Sequence, residues 1–303
     1  MKAMQRAWLI DASIYIFRAY FSLPDRWHTA DGMPLNAVYG YVGFLLDFLS
    51  ATEVPPPCAA AFDESLGTCF RNDIYAQYKA SRELPDEALA FQLDACRKVT
   101  ECLGIPSYSG QRYEADDYLA TLARLCRERG MAVTVVTRDK DLGQILVAPE
   151  DQWWDFAGNV RLDRAAFAEK HGVRSDQFGD YLALVGDPID DVPGVPGVGA
   201  KTAAALLRSF GNLDEVEANF TQVSKLDIRG AAGLQEKLQL HWPQARLAQQ
   251  LTRLETNVPG LAGVPDCQPD GDNLAALVDY LSSLGLTGPL LRRCQKLAEA
   301  MAA

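Results

Sequence analysis

The sequence predicts an α/β protein, a parallel sheet with helices packed against it, followed by a smaller, all-helical second part. Three observations carry that prediction. Short apolar runs, AWLIDA (7–12), CAAAFDE (58–64) and AVTVVTRDKD (132–141), each end in or just before acids and read as buried parallel strands. Segments of helical periodicity lie between them. From about Phe178 the strand pattern gives way to helix, hairpin and helix.

Taken in order, AWLIDA is the first strand and VYGYVGFLLDFL (38–49) a helix that follows it. CAAAFDE is the second strand, and FQLDACRKVTECL (91–103) the next helix. ADDYLATLARLCRERG (115–130) is a third, closed by a glycine. AVTVVTRDKD, the richest in β-branched residues, is another strand. A boundary falls near 172–177, so the expected domains are 1–174 and 175–303. The latter ends in a helical tail after the Pro/Asp/Gly-rich stretch at 263–272.

Composition excludes several classes. The chain has 303 residues, 48% apolar and 23% charged, with no apolar run near the ~18–20 residues of a membrane helix and no signal-peptide core, so a cytoplasmic protein is expected. Seven cysteines without a CxxC pair read as reduced structural thiols. Three isolated histidines leave little room for zinc or histidine-driven catalysis. The net charge of −11 opposes nonspecific wrapping of nucleic acid, unless many of the acids are gathered in one place.

They are so gathered. Strand-end acids of an α/β sheet converge in the crevice beyond the strands' carboxyl ends, which brings together Asp11, Asp63, Asp139 and Asp141. YEADD adds Glu114, Asp116 and Asp117 at a helix start, and GDPIDD adds Asp187 and Asp190. Singly, such acids cap turns or favour helix N-termini; jointly, nine carboxylates without cations would repel one another. All-oxygen ligation favours Mg²⁺ or Mn²⁺. Two such ions about 4 Å apart are the arrangement of phosphodiester hydrolysis.

Two further stretches bear on partners. FRNDIYAQYKASR (70–82) places Arg71, Tyr75, Tyr78, Lys79 and Arg82 on one helical face, either a nucleic-acid surface of stacking rings and phosphate-binding cations or an amphipathic helix with half-buried tyrosines. VPGVPGVGAKTA has the glycine spacing of a Walker A loop, but Ala200 occupies the lysine position and Lys201 comes one residue late. The better reading is a hairpin in which Gly194, Gly197 and Gly199 expose N–H groups to duplex phosphate at a helix start, with charge from Lys201 and a contact from Thr202.

The order LIDA, FRxxxYxxYKxxR, YEADD, TRDKDL, GDxxDD and VPGVPGVGAKTA resembles the bacterial 5' nuclease (flap endonuclease) family, most closely the 5'-3' exonuclease domain of DNA polymerase I, here standing alone. The resemblance implies a PIN-like nuclease domain with a helical arch over about 64–95, joined to a helix-3-turn-helix domain. By motif match, Asp11, Asp63, Glu114, Asp116 and Asp117 would mainly serve one Mg²⁺ or Mn²⁺, and Asp139, Asp141, Asp187 and Asp190 a second. Lys79 and Arg82 would act on the scissile phosphate as catalytic cations, with Arg71 and Tyr78 lining the arch. K⁺ would sit at hairpin carbonyls, assigned to Val192, Val195 and Val198. The implied substrate is branched or 5'-flap DNA, including RNA-primed DNA, cut by a monomer in replication or repair. Departures are Ala12 for the usual Gly, Asp191 for the usual Asn, and ESLGT (64–68) without the cations of some relatives. A non-catalytic DNA-junction binding protein and a PIN-like ribonuclease are the alternatives.

Overall fold

A computed structural model describes residues 4–51, 57–228, 230–264 and 270–302. In chain order the elements are β1 (Arg6–Asp11), α1 (Ala12–Ser22), α2 (Asn36–Ser50), β2 (Cys58–Ala61), α3 (Phe70–Ile74), α4 (Glu87–Cys102), β3 (Ser107–Tyr108), α5 (Ala115–Glu128), β4 (Ala132–Val136), β5 (Gln152–Asp155) and β6 (Val160–Leu162). Then follow α6 (Arg164–His171), α7 (Phe178–Val185), α8 (Ala200–Phe210), α9 (Leu213–Ala218), α10 (Phe220–Val223), α11 (Ala231–Thr252), α12 (Gly271–Ser283) and α13 (Pro289–Ala302).

The six strands form one sheet in the order β3-β2-β1-β4-β5-β6, parallel except for the β5–β6 hairpin. β3, β5 and β6 were not foreseen, being short or, in QWWD, lacking the aliphatic run that marked the others. Strand alternation divides the core. Ala7, Leu9, Ala59, Ala61, Val133, Val135 and Trp153 face a core shared with α5, α7, α8 and α11. Trp8, Ile10, Cys58, Ala60, Val136 and Trp154 face the other, shared with α2 and α4.

Two expectations about the second part of the chain need correction. The tail expected to join the helical domain lies on the opposite side of the sheet: Leu274, Leu277, Leu281, Leu290 and Cys294 of α12 and α13 pack into the α2/α4 core. Nor does the first core stop at residue 174, since it runs without a break from β1 into α7, α8 and α11. The link between the two sides is a strap, residues 252–264, laid along α5. Arg124 Nε donates to Thr256 O at 2.8 Å, Val258 N–H to Thr121 Oγ1 at 3.1 Å and Arg129 Nη1 to Val264 O at 3.3 Å.

The stretch expected as a helical arch, about 64–95, is helical only at α3 and in the first turns of α4. After β2 only the five residues of α3 are helical; Tyr75 is extended, and residues 76–82 fold as successive turns down to the N-cap of α4, Asp86. The single face of Arg71, Tyr75, Tyr78, Lys79 and Arg82 therefore does not exist. No helix among the described residues is long and apolar enough to cross a membrane. The six described cysteines are all free thiols; Cys267 lies outside the described residues.

Candidate active site

The site lies where the connections diverge, between β1, which leads towards β2, and β4 on its other edge. Asp11 ends β1 and caps α1, accepting from the Ile14 N–H at 3.4 Å and from Thr137 Oγ1 at 2.7 Å. Asp63 follows β2, its own N–H held by Ser13 Oγ at 2.9 Å. Asp139 and Asp141 follow β4 in a tight turn in which the Asp141 N–H donates to Asp139 Oδ1 at 2.8 Å. Glu114 and Asp116 come from the start of α5.

Asp187 and Asp190 arrive on the loop after α7. That loop is closed by two bonds between the backbones of Asp187 and Val192, at 2.9 and 3.0 Å. Gly186, at φ 82°, turns the chain out of α7, and its pro-Cβ direction is filled by the backbone of Gly194, so neither position has room for a side chain.

Eight of the nine predicted acids, all but Asp117, line one cavity of ≈ 240 Å³ with Lys79 and Arg82 at its edge. Burial and proximity perturb several of them. Burial, reinforced by Asp139 and Asp63, pushes the Asp11 carboxyl up to about 7. Burial and Asp139 likewise push Asp141 up to about 7, and burial with Asp139, Asp11 and Glu114 raises Asp116 well above the carboxylate range. Glu114 goes the other way: burial works upward but is outweighed by Lys79 and Arg71.

Cations already answer part of this charge. Lys79 pairs with Glu114 and stands 3.7 Å from Asp190, Arg82 pairs with Asp190, and Lys140 Nζ lies 3.1 Å from Asp187. Asp141 Oδ1 is buried without a hydrogen bond, the Lys140 ammonium standing 3.3 Å away. Among the described residues no three acids stand as a ready-made cage. Yet an all-oxygen set in which Asp11, Asp116 and Asp141 resist joint ionisation, and in which Asp141 Oδ1 has an ion-pair partner but no hydrogen bond, fits hard divalent ions.

Asp117 does not belong to this set. It is fully buried, and its oxygens accept from Arg71 Nη1 and Nη2 at 2.7 and 2.8 Å and from the N–H groups of Glu114 and Glu255 at 3.1 and 2.8 Å. Arg71, 1% exposed, also donates to Glu114 at 2.9 Å, to Leu251 O at 2.8 Å and to Arg253 O at 2.9 Å. It is an internal brace and cannot reach a nucleic acid. Tyr78 is buried with its hydroxyl on Glu114 at 2.9 Å, and Tyr75 is partly buried against the core, so neither offers a free ring for stacking.

Beyond the loop, α7 and α8 flank the hairpin. Val192, Val195 and Val198 turn their side chains into the core; the Val192 carbonyl accepts from the Asp187 N–H and the Val195 carbonyl from the Val198 N–H. Gly197 is at φ 78°. Gly199 caps α8 without a side chain, leaving the first-turn N–H groups for an outside acceptor, with Lys201 exposed and Thr202 half-buried there.

Two family models match almost the whole of this architecture: "5'-3' exonuclease, N-terminal resolvase-like domain" over residues 6–172, and "5'-3' exonuclease, C-terminal SAM fold" over 173–273. The chain belongs to the 5'-3' exonuclease family. Among curated relatives of this exonuclease-family chain, DNA polymerase I of Rhizobium leguminosarum is 35% identical over 293 residues, covering 95% of the chain and 28% of the polymerase. DNA polymerase I of Mycobacterium tuberculosis (strain H37Rv) is 37% identical over 281 residues, covering 90% and 30%. The chain thus spans less than a third of these relatives. T5 5'-exonuclease with bound zinc shares the fold at TM-score 0.64 and 19% identity, over 99% of this chain and 100% of that one. The catalytic core of Rad2 in complex with DNA substrate does so at 0.64 and 15%, over 98% and 92%.

Sequence reasoning missed Lys140 as a partner of the acids, although it stands between two of them in RDKDL. It also missed the Arg71–Asp117 brace. An arginine in a polar, tyrosine-rich segment carries no local sign that its partner lies on another helix.

Proposed function

We propose that this chain is a structure-specific 5' nuclease, hydrolysing DNA phosphodiesters near single-strand/duplex junctions as a flap endonuclease and 5'-3' exonuclease. The observation that carries the reading is the cavity itself: eight carboxylates, with Lys79 and Arg82 at the rim, one loop away from a glycine hairpin at a helix start. Asp11, Asp63, Glu114 and Asp116 would hold one Mg²⁺ or Mn²⁺ and Asp139, Asp141, Asp187 and Asp190 the other, with sharing between them. When bound, the two ions supply Lewis acidity and a water of lowered pKa.

The protein's own groups do the rest. Lys79 and Arg82 leave their carboxylate partners to offset charge on the scissile phosphate. Gly194, Gly197 and Gly199, with Lys201 and Thr202, grip duplex phosphate through N–H groups and charge. K⁺ at hairpin carbonyls in the Val192–Val198 stretch would order that grip. Substrates are branched or 5'-flap DNA, RNA-primed DNA included, met by a monomer in the cytoplasm during replication or repair. The nuclease domain would be 1–174, and of residues 175–303 the hairpin and the helices α7–α11 would hold the duplex, while α12 and α13 pack back on the nuclease side.

Matched DNA and RNA 5' flaps, incubated with the protein in Mg²⁺ and then in Mn²⁺ with product mapping, test this reading. Cleavage of the DNA flap beside the junction, leaving a 5'-phosphate, is expected. A protein that binds the flap and leaves it intact in both metals would be a junction-binding protein instead, and preferential cleavage of RNA would make it a ribonuclease.

A further inference from the structure

Outside glycine, Lys79 and Asp191 are two of the three described residues with left-handed backbone, each at φ 54°. They meet across the site. The Lys79 N–H donates to the Asp190 carbonyl at 3.0 Å, and two residues on, the Ser81 N–H donates to Asp191 Oδ2 at 2.8 Å. Aspartate adopts this conformation readily, because its short side chain bonds locally; a lysine in it is strained and must be held by its surroundings.

The arrangement is a clasp between the turn 79–82 and the loop 187–192. The turn is closed on itself by the Arg82 N–H to the Lys79 carbonyl at 3.1 Å, so fixing Ser81 inside it holds the backbone of both cations that close the turn. The loop is closed by the paired backbone bonds of Asp187 and Val192 and runs directly into the hairpin. Asp191 itself does not line the acid cavity; its carboxylate turns the other way, onto the Ser81 amide.

We propose that Asp191 is a positioning residue: by holding the Ser81 amide it sets Lys79 and Arg82 over the cleft and refers them to the same loop that leads into the duplex-holding hairpin. The proposal rests on the reading above that those two cations act on the phosphate. Arg82, 38% exposed at its side chain, pairs with Asp190 at its tip, and the anchored backbone next door fixes where its stem starts once the phosphate draws the tip away.

The test uses the full chain, a 5'-flap DNA and saturating Mg²⁺, with single-turnover rates and, in Ca²⁺, DNA affinity by anisotropy. Asp191→Gly keeps the left-handed backbone and removes the acceptor; Asp191→Asn keeps both. Asp191→Gly is expected to slow cleavage about tenfold while DNA affinity stays within about threefold, and Asp191→Asn to restore the rate to within about twofold. Hydrogen exchange of the amides at 79–83 should quicken in Asp191→Gly alone, with no change in melting temperature. On a Lys79→Ala/Arg82→Ala background, Asp191→Gly should slow cleavage no further.

An Asp191→Asn enzyme as slow as Asp191→Gly, or the same slowing by Asp191→Gly with and without the two cations, would overturn the proposal. Unchanged exchange in Asp191→Gly would overturn the clasp while leaving the nuclease reading intact. A Lys79→Ala/Arg82→Ala enzyme cutting at the wild-type rate would instead overturn the role given to the cations, and the purpose of the clasp with it.

Discussion

Replacing Arg71 by methionine keeps much of its volume and removes its charge. The structure gives the consequence term by term. Two hydrogen bonds to Asp117 and one to Glu114 disappear, and the carbonyls of Leu251 and Arg253 lose their donor. Glu114 retains Lys79 and Tyr78, whereas Asp117 is left as a buried carboxylate supported by two backbone amides. Removing one partner of a buried ion pair costs about 3–5 kcal/mol. At roughly 2 °C per kcal/mol for a chain of this size, the melting temperature should fall by about 6–10 °C. Urea denaturation of the metal-free protein measures the free-energy loss, and a thermal melt the temperature shift. In the double variant Arg71→Met/Asp117→Asn the unpaired charge is gone, so about half the loss should return. A single-variant cost under about 1 kcal/mol, or strictly additive effects of the two changes, would refute the brace. A companion titration separates brace from ligand: Asp116→Asn should weaken Mn²⁺ binding at least about tenfold more than Asp117→Asn.

Three further outcomes follow from the geometry. The folded carboxyls of Asp11 and Asp141 titrate near 7, against about 4 when unfolded, so between those values the folded state holds more protons and metal-free stability falls as pH rises; melting temperatures from pH 5 to 8 in chelator should decline, and saturating Mg²⁺ should flatten the curve. Gly194→Ala drives a methyl group into the Val185 backbone carbonyl, at 2.2 Å from its oxygen, and should cost about 1–3 kcal/mol, whereas Gly199→Ala meets nothing and should cost little; paired denaturation curves decide this. Asp139→Asn should cut flap cleavage by at least about a hundredfold while DNA affinity changes by less than about threefold, and equal losses in both assays would contradict its place among the metal-holding acids.

The parallel core of the sheet was legible because β1, β2 and β4 are continuous apolar runs, and the acids were legible because they end those runs. Asp187 and Asp190 could be read for a different reason, the glycines that frame their loop. Asp117 could not be told from Asp116 in the string EADD. Neighbouring residues on a helix point about 100° apart, so one faces the cleft and the other faces α3 and the strap, and only the three-dimensional packing says which. Residues 75–82 misled for a related reason. Their spacing suits a helical stripe, but the Lys79 N–H donates to the Asp190 carbonyl and the Ser81 N–H to the Asp191 carboxylate, and these tertiary bonds overrode local periodicity. The terminal helices show ordinary amphipathic patterning, which tells that a face is covered without telling by what.

The strap along α5 has a consequence for where a cut would fall. Because residues 252–264 are bonded down the length of that helix, the part of the chain that would hold duplex and the part that would cut it are not two bodies on a hinge. If the chain cuts as proposed, they would act as a ruler held by that packing. The distance from junction to cleaved bond would then be written into packed structure. Lengthening the strap would loosen that measurement and blur a single product into a ladder before it slowed the reaction.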